Sequence, residues 1–404
     1  MKKINPIVRW WVTPKLPPDD IFASHNFISQ WLIHPVKRRI ARWYLKILQK
    51  YAKIKVVAIT GSTGKTTTTE ILGSILSTKG KACWSQEGID PVYNIPNTIL
   101  RTSWRTKYLI LEMSVEYFNE MDYYLWLAKP DVAIVTNIAI THTQFLKDKE
   151  GVAKEKSKLI KVLSKEGVAV LNIEDPIVKS FAQSTNARVR WYGVGSDFFA
   201  EEINLNRNLS TSFTLVIGSS KKYIHMNIFG NQFVANAVAA SAAAFSLGAD
   251  LANISSGIEK FKHPKHRLNI IRNKNSGMIF DDSYNSNPKA ASESLDTFIK
   301  LAGSKTKIAV VGDMLELGKF EESSHRDLGR EIGKMGFDYL IGVGNAARFV
   351  VEEAGKVIGD HKCFLTTNES EALPILKPLL NNDTALFVKG SRSIGLDRLV
   401  DALT

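Results

Sequence analysis

Apolar residues recur along this chain with two different periods, and each change of period marks an element. From Trp31 to Tyr51 the residues Val36, Ile40, Trp43, Ile47 and Tyr51 return at helical spacing, while Arg38, Arg39, Arg42, Lys46 and Lys50 take another side. This predicts a basic amphipathic helix. Strand-length apolar runs follow at Lys55 to Ile59, Lys107 to Met113, Asp131 to Ile138 and Val168 to Ile173, with helical stretches between them. Such alternation predicts a mostly parallel sheet covered on both faces. A more β-rich passage comes next, where Phe213 to Ile217 and Tyr223 to Ile228 flank Gly218-Ser219-Ser220 and read as a hairpin. Helices are expected from about Phe233 to Leu247, rich in alanine, and from Leu251 to Phe261. Proline and polar residues in Lys262-His263-Pro264-Lys265-His266 then mark a domain boundary. Beyond it a second series of strands, Met278 to Asp281, Ile308 to Gly312, Tyr339 to Val343 and Ala385 to Val388, predicts another doubly wound unit.

The expected organisation is therefore α/β: a short basic helical arm over 1–54, a parallel-sheet nucleotide-binding domain over 55–263 and a Rossmann-like domain over 264–404. A length of 404 residues agrees with more than one core. The 44% hydrophobic and 23% charged content is that of a soluble globular chain, and no apolar run is long enough to suggest a membrane span. Cys83 and Cys363 lie far apart without a CxxC partner, which argues against a disulfide framework or zinc site and fits a reducing cytoplasm. Arg9 and Pro14 break the first apolar run and no small-residue cleavage site follows, so a cleaved signal is not expected. The net charge of +13 is unevenly spread. Residues 1 to 55 hold twelve Lys/Arg against Asp19 and Asp20, a net +10, and only +3 remains for the other residues. A nucleic-acid-binding NTPase should carry its basic surface over the nucleotide-binding body, so no nucleic-acid partner is expected. The simplest expectation for the arm is a helix docked on its own protein with a solvated basic face. Contact with an anionic membrane surface or a phosphate-bearing substrate is the alternative, which Trp10, Trp11, Trp31 and Trp43 keep open.

The first strand opens onto Thr60-Gly61-Ser62-Thr63-Gly64-Lys65-Thr66-Thr67. A strand ending in a glycine-punctuated turn that leads into a helix surrounds an anion with backbone N–H groups, most simply the phosphates of a nucleotide. Lys65 would reach the β- and γ-phosphates, and the Thr66 hydroxyl suits Mg²⁺, a hard cation that takes oxygen ligands. The spacing departs from the general phosphate-loop pattern, whose first glycine would fall at Ile59. Ligands of open α/β sheets sit beyond the carboxyl ends of strands, so Glu112 after the second of these strands and His142 after the third are expected near the phosphates. A carboxylate there needs a metal to offset repulsion, and Glu112 reads as a Mg²⁺ ligand. The helical run Gly151 to Lys158 is expected to be a solvated charged face. In the second domain Arg267, the string Asp281-Asp282-Ser283-Tyr284-Asn285-Ser286-Asn287-Pro288, the turn Gly312-Asp313-Met314 and Lys389-Gly390-Ser391-Arg392 also fall at strand ends.

Taken with YNIPNT (Tyr93 to Thr98), LEMS (Leu111 to Ser114), AKPDVAIVTNI (Ala128 to Ile138), GNQFVANAVAA (Gly230 to Ala240), HRL (His266 to Leu268), VVGDMLELG (Val310 to Gly318) and VKGSRS (Val388 to Ser393), these strings make the chain resemble the Mur ligase family of ATP-dependent amide-bond-forming enzymes over about residues 55 to 404. DDSYNSNP and GDMLELG favour, within the family, the type that joins D-alanyl-D-alanine to UDP-N-acetylmuramoyl-tripeptide. The resemblance implies that Gly61 to Thr67 hold the ATP phosphates and that Thr66, Glu112 and His142 bind Mg²⁺. It implies further that Lys156 is the family lysine that is often carbamylated into a metal ligand, although Lys154 and Lys158 lie close in register. Asn236, Arg267 and Asp282 match nucleotide-site positions; Asn94, Asn285, Asn287, Lys389, Ser391 and Arg392 match positions that handle the substrates. The implied reaction phosphorylates a carboxylate to an acyl phosphate, which an amine then attacks. The alternatives are another Mur-type amide ligase, a folylpolyglutamate synthetase among them, and a non-catalytic nucleotide-binding partner subunit. A monomer in the cytoplasm, with contact to the inner face of the membrane through the arm, completes the expectation. About 54 residues precede the first strand, too few for the independent UDP-holding domain usual in this type.

Overall fold

The computed structural model describes residues 6–12, 28–206, 208–273 and 277–404. They form two compact units, one of residues up to Ile138 together with Glu150–Lys262, the other of Ala139–Lys149 together with His263–Thr404.

In the first unit, strands β1 (Lys55–Thr60), β2 (Ala82–Trp84), β3 (Tyr108–Glu112), β4 (Val132–Val135), β5 (Val168–Asn172) and β6 (Arg188–Tyr192) make a parallel sheet of order β2-β3-β1-β4-β5-β6. The runs are rich in Val, Ile and Leu because helices cover both faces: in β1 every residue after Lys55 is buried. From β1 the chain builds β2 and β3 on one side, then crosses back to place β4 on the other. That reversal opens a crevice beyond the end of β1, where the glycine turn lies. A separate antiparallel sheet holds β7 (Phe198–Leu205), β8 (Thr211–Ile217) and β9 (Ser220–Met226). The expected hairpin is β8–β9, with Ile217 paired to Ser220 across Gly218, whose φ of 58° glycine adopts at no steric cost.

Helix Lys65–Ser77 packs against Asn231–Ser246 and Leu251–Lys260. The alanines allow this: Ala237, Ala239, Ala240 and Ala242 to Ala244 are fully buried, so the helix is enclosed on nearly all sides. At the second contact, Gly257 lies so close to Ile75 that an added Cβ would stand 2.3 Å from the Ile75 Cα.

In the second unit, β10 (Asn269–Asn273), β11 (Gly277–Asp282), β12 (Thr306–Gly312), β13 (Tyr339–Val343), β14 (Cys363–Thr366) and β15 (Thr384–Lys389) form a sheet of order β10-β11-β15-β12-β13-β14, antiparallel only at β10. Phe280, Phe298, Phe337 and Phe387 cluster with centroids 5.3–6.4 Å apart. Ile308, Val310, Leu386 and Val388 belong to an aliphatic core with Leu396 and Leu399.

The arm corrects the expectation of a solvated basic face. Its helix His34–Ile47, extended by wider turns at Ser29–Ile33 and Leu48–Ala52, buries Pro35, Arg38, Ala41, Leu45 and Leu48 within the first unit. Val36, Ile40, Trp43 and Tyr51 face solvent instead. The reason lies in what the arginines meet. Arg38 donates to the Trp10 and Trp11 carbonyls and lies over the Tyr123 ring; Arg42 Nε donates to the Trp126 carbonyl at 2.7 Å; Arg39 lies 4.1 Å from the Trp10 and Trp11 rings. Guanidinium groups stack on aromatic faces while donating to nearby carbonyls, so an arginine row can be an inward face. Among the described residues no helix is long and apolar enough to cross a membrane.

Gly257→Ala should lower the thermal midpoint of unfolding. The added methyl meets backbone that cannot turn aside, and overpacking of about 1–3 kcal/mol exceeds the roughly 0.5–1 kcal/mol that alanine gains over glycine within a helix; a midpoint at or above that of the unmodified chain refutes this packing.

Candidate active site

The turn after β1 is held from below by the end of β4. Ser62 N donates to the Asn137 carbonyl at 2.9 Å, Thr63 N to Asn137 Oδ1 at 3.0 Å, and Thr136 Oγ1 to the Thr63 carbonyl at 2.6 Å. Thr60 Oγ1 donates to the Met113 carbonyl at 2.7 Å, tying the turn to the end of β3. Two glycines are sterically required. A Cβ at Gly61, where φ is 149°, would lie 1.8 Å from Thr136 Oγ1; one at Gly64, where φ is 77°, would lie 2.3 Å from Asn236 Oδ1. The second contact places Asn236, on the alanine-rich helix, against the loop. Lys65 opens the following helix, and Thr66 and Thr67 are buried in its first turn.

Lys156 reaches the same loop from the helix Lys149–Lys161, its Nζ donating to the Gly61 carbonyl at 2.7 Å. This corrects the expectation of a solvated charged run, since Glu155, Lys156 and Ser157 are buried. Of the three neighbouring lysines, Lys154 is exposed and Lys158 pairs with Asp122 at 2.6 Å and Glu155 at 2.8 Å, while Lys156 is completely enclosed. Burial pushes its amine well below the ordinary lysine range and Lys65 adds to this, whereas Glu112 and Glu120 pull the other way. Glu112, at the end of β3, also bears on Glu70: burial raises that carboxyl, and Glu87 and Glu112 raise it further. A site with several oxygen donors beside a phosphate cradle has the chemistry for a hard divalent cation.

Glu120 and Glu155 are the residues that sequence reasoning missed here. Both are fully buried; Glu120 accepts from the backbone N–H of Glu116 and Tyr117, and Glu155 from that of Met121. No motif or spacing marks them, because their partners are backbone groups distant from the loop in sequence. Asn94 is also inside the first unit, donating to the Gln86 carbonyl at 2.6 Å and accepting from Thr98 Oγ1 at 3.1 Å, so it braces the turn ahead of its helix.

The remaining candidates belong to the second unit. His142, in the left-handed region at φ 53°, contacts the Glu316 carboxylate through Nδ1, and the adjacent Thr143 and Gln144 bond to the carbonyls of Leu317 and Glu316. At the ends of β11 and β15, Lys389 Nζ lies 2.5 Å from Asp282 Oδ2 and donates to the Asn285 carbonyl at 2.9 Å; Ser294 Oγ donates to the same Asp282 oxygen. Two residues expected in different roles are thus one buried ion pair. Asn287 caps the helix Pro288–Ala302 by accepting from Ala290 N, and Ser391 accepts from Leu315 N while its own N–H donates to the Asp313 carbonyl. Tyr284 lies between two cations, with the Arg267 guanidinium 3.9 Å and that of Arg392 4.7 Å from its ring centroid. Tyr284 stands in the DDSYNSNP string, but nothing in the spacing foretells this stacking. Beside it, burial lowers the His263 imidazole to about 4 and raises the Asp281 carboxyl, whose Oδ2 lies 2.8 Å from His266 Nδ1.

Comparison with known families decides what this architecture is. The model of the Mur ligase middle domain matches residues 59–244, and that of the Mur ligase, glutamate ligase domain matches residues 266–392. The chain belongs to the Mur ligase family. Among curated Mur ligases it is 28% identical over 370 residues to the UDP-N-acetylmuramoyl-tripeptide--D-alanyl-D-alanine ligase of Escherichia coli, covering 90% of this chain and 79% of that one. The enzyme of the same name from Bacillus subtilis is 28% identical over 366 residues, with 91% and 78% covered. A crystal structure of MurF from Acinetobacter baumannii superposes with a TM-score of 0.83 at 28% identity, covering 92% of this chain and 80% of that one. Residues 245–265 separate the two matched segments.

His263 supplies a pH test of the second unit's packing. Its folded value of about 4 lies below the ordinary histidine value of 6.5, so between pH 6.5 and 4 the unfolded chain binds the extra proton and stability falls as pH falls. Denaturant titrations should show an acid limb in that window, and His263→Gln should flatten it; an unchanged limb in the variant would assign the acid sensitivity elsewhere.

Proposed function

We propose that this chain is an ATP-dependent ligase that joins the amine of D-alanyl-D-alanine to the free carboxylate of UDP-N-acetylmuramoyl-tripeptide, a step in making peptidoglycan precursors. One observation carries the chemistry: a glycine-bound phosphate loop at the sheet's switch point with a fully buried lysine whose Nζ donates to the carbonyl of its first glycine. The substrates follow from relatives that match nine-tenths of the chain.

In this reading residues 55–263 form the ATP-binding domain and 264–404 a Rossmann-like ligase domain. A carboxylate is a poor electrophile. Transfer of the γ-phosphoryl group to one of its oxygens releases ADP and leaves an acyl phosphate with a good leaving group. The amine then attacks the carbonyl carbon, phosphate departs, and the nitrogen loses a proton to give the amide. Backbone N–H groups of Gly61 to Thr67 orient the phosphates, and Lys65 balances the charge on the transferring group. Thr66, Glu112, His142 and Lys156 are the residues that would hold Mg²⁺, which when bound neutralises charge between the β- and γ-phosphates. The amine of Lys156, which burial shifts toward its neutral form, can add to CO₂ with loss of a proton and so become the carbamate that would supply an oxygen ligand. Asn236, Arg267 and Asp282 are read as nucleotide-site residues; Asn94, Asn285, Asn287, Lys389, Ser391 and Arg392 as positions serving the two substrates. The enzyme is read as a cytoplasmic monomer, working without nucleic acid and at the inner face of the membrane.

ADP release should require Mg²⁺, UDP-N-acetylmuramoyl-tripeptide and D-alanyl-D-alanine together, with the new amide seen by mass spectrometry. Lys65→Met should lower kcat by about 10²–10³-fold. Lys156→Met should abolish ligation and remove a carbamate signal that ¹³C-bicarbonate gives in the unmodified enzyme. ATP binding without ADP release under any combination of these substrates would overturn the assignment.

A further inference from the structure

The arm helix presents to solvent the residues that a helix ordinarily hides. Its exposed row runs through Val36 (45% exposed), Ile40 (54%) and Trp43 (70%), and continues at its two ends with Ile33 (55%) and Tyr51 (63%). At about 100° per residue, Val36, Ile40, Trp43 and Ile47 fall within one narrow sector of the His34–Ile47 helix. Lys37 borders that sector on one side, and Lys46 and Lys50 border it on the other. The opposite side of the helix is already committed, with Arg38, Ala41, Leu45 and Leu48 buried against the first unit.

We propose that this outward row docks on an anionic phospholipid bilayer, with the helix lying in the plane of the interface. Three observations favour lipid over other occupants. The row is narrow, as suits shallow insertion into the acyl boundary; it is bordered by lysines on both sides, the arrangement that places cations at the headgroups while apolar side chains enter between them. Trp43 and Tyr51 are the residue types that settle at that boundary. Charge complementarity decides the kind of lipid, since residues 1 to 55 carry a net +10 while the rest of the chain carries +3. The arginines do not supply the attraction, because they are turned onto tryptophan rings and peptide carbonyls. The exposed Lys46 and Lys50 do, with the half-buried Lys37 on the other side. The proposal stands independently of the ligase reading, for binding needs neither ATP nor acceptor.

The test uses the full chain and unilamellar vesicles of phosphatidylcholine, with or without about 30% phosphatidylglycerol, in a flotation assay without substrates. The unmodified chain should float with the anionic vesicles, far less with neutral ones, and release in high salt. Ile40→Asp with Trp43→Asp should cut the partition coefficient at least tenfold. Lys37→Gln, Lys46→Gln and Lys50→Gln together should also lower it while leaving the apolar row in place. Both sets of variants should keep the melting profile, and in the soluble assay above they should keep whatever turnover the unmodified chain shows. An unmodified chain that stays with the unfloated protein at both compositions overturns the proposal. So does a sedimentation boundary showing a dimer that Trp43→Asp converts to monomer, which would make a second copy the occupant of this face.

Discussion

The close approach of the loop backbone to the Thr136 hydroxyl at Gly61 and to the Asn236 amide at Gly64 is the constraint on which the first unit rests. Because no side chain stands at either position, the turn after β1 can settle against Thr136 on one side and Asn236 on the other. That contact aligns β4's end, the alanine-rich helix and the first turn of Lys65–Ser77 around a single loop. It also leaves the Gly61 carbonyl facing inward, where it accepts from the enclosed Lys156 Nζ at 2.7 Å. A bulkier residue at either glycine would push apart the elements that create the lysine's environment.

The second unit solves a different problem. Asp282 and Lys389 come from strands that are neighbours in the sheet but 107 residues apart in the chain, and their buried pairing holds the ends of β11 and β15 together. A buried pair of this kind is worth little as stability but is exacting in geometry, because either partner alone would be a stranded charge. Tyr284, clamped by Arg267 and Arg392, extends the same ordering to the loop beyond β11.

Much of the fold was legible because the parallel strands are continuous apolar runs and the helices between them are amphipathic. β8, β11, β12, β13 and β15 fall within a few residues of where the pattern puts them. The strands that escape notice are short or polar. β2 is three residues long, and β7 reads Phe-Phe-Ala-Glu-Glu-Ile-Asn-Leu with a register shift after Glu201. The phosphate loop was legible because its conformation demands glycine at fixed places. Glu155 and the Tyr284 clamp were not, since each depends on a partner that only tertiary folding brings near, and Glu120 bonds locally but to backbone N–H groups that carry no side-chain signature. The arm was misread for a physical reason: hydropathy assigns arginine to water, yet a guanidinium between indole rings and carbonyls is well housed indoors.

That inversion of the arm changes what the protein's basicity means to its surroundings. With a pI near 9.4 the chain has the formal charge of a polyanion binder. Three of its guanidinium groups, however, are spent as internal mortar between a helix and the aromatic residues beneath it. A passing RNA would meet lysines set apart by a ridge of isoleucine and tryptophan, a surface too greasy and too sparse in cation to track a phosphate backbone. Its pull on polyanions in general is therefore weaker than its isoelectric point suggests.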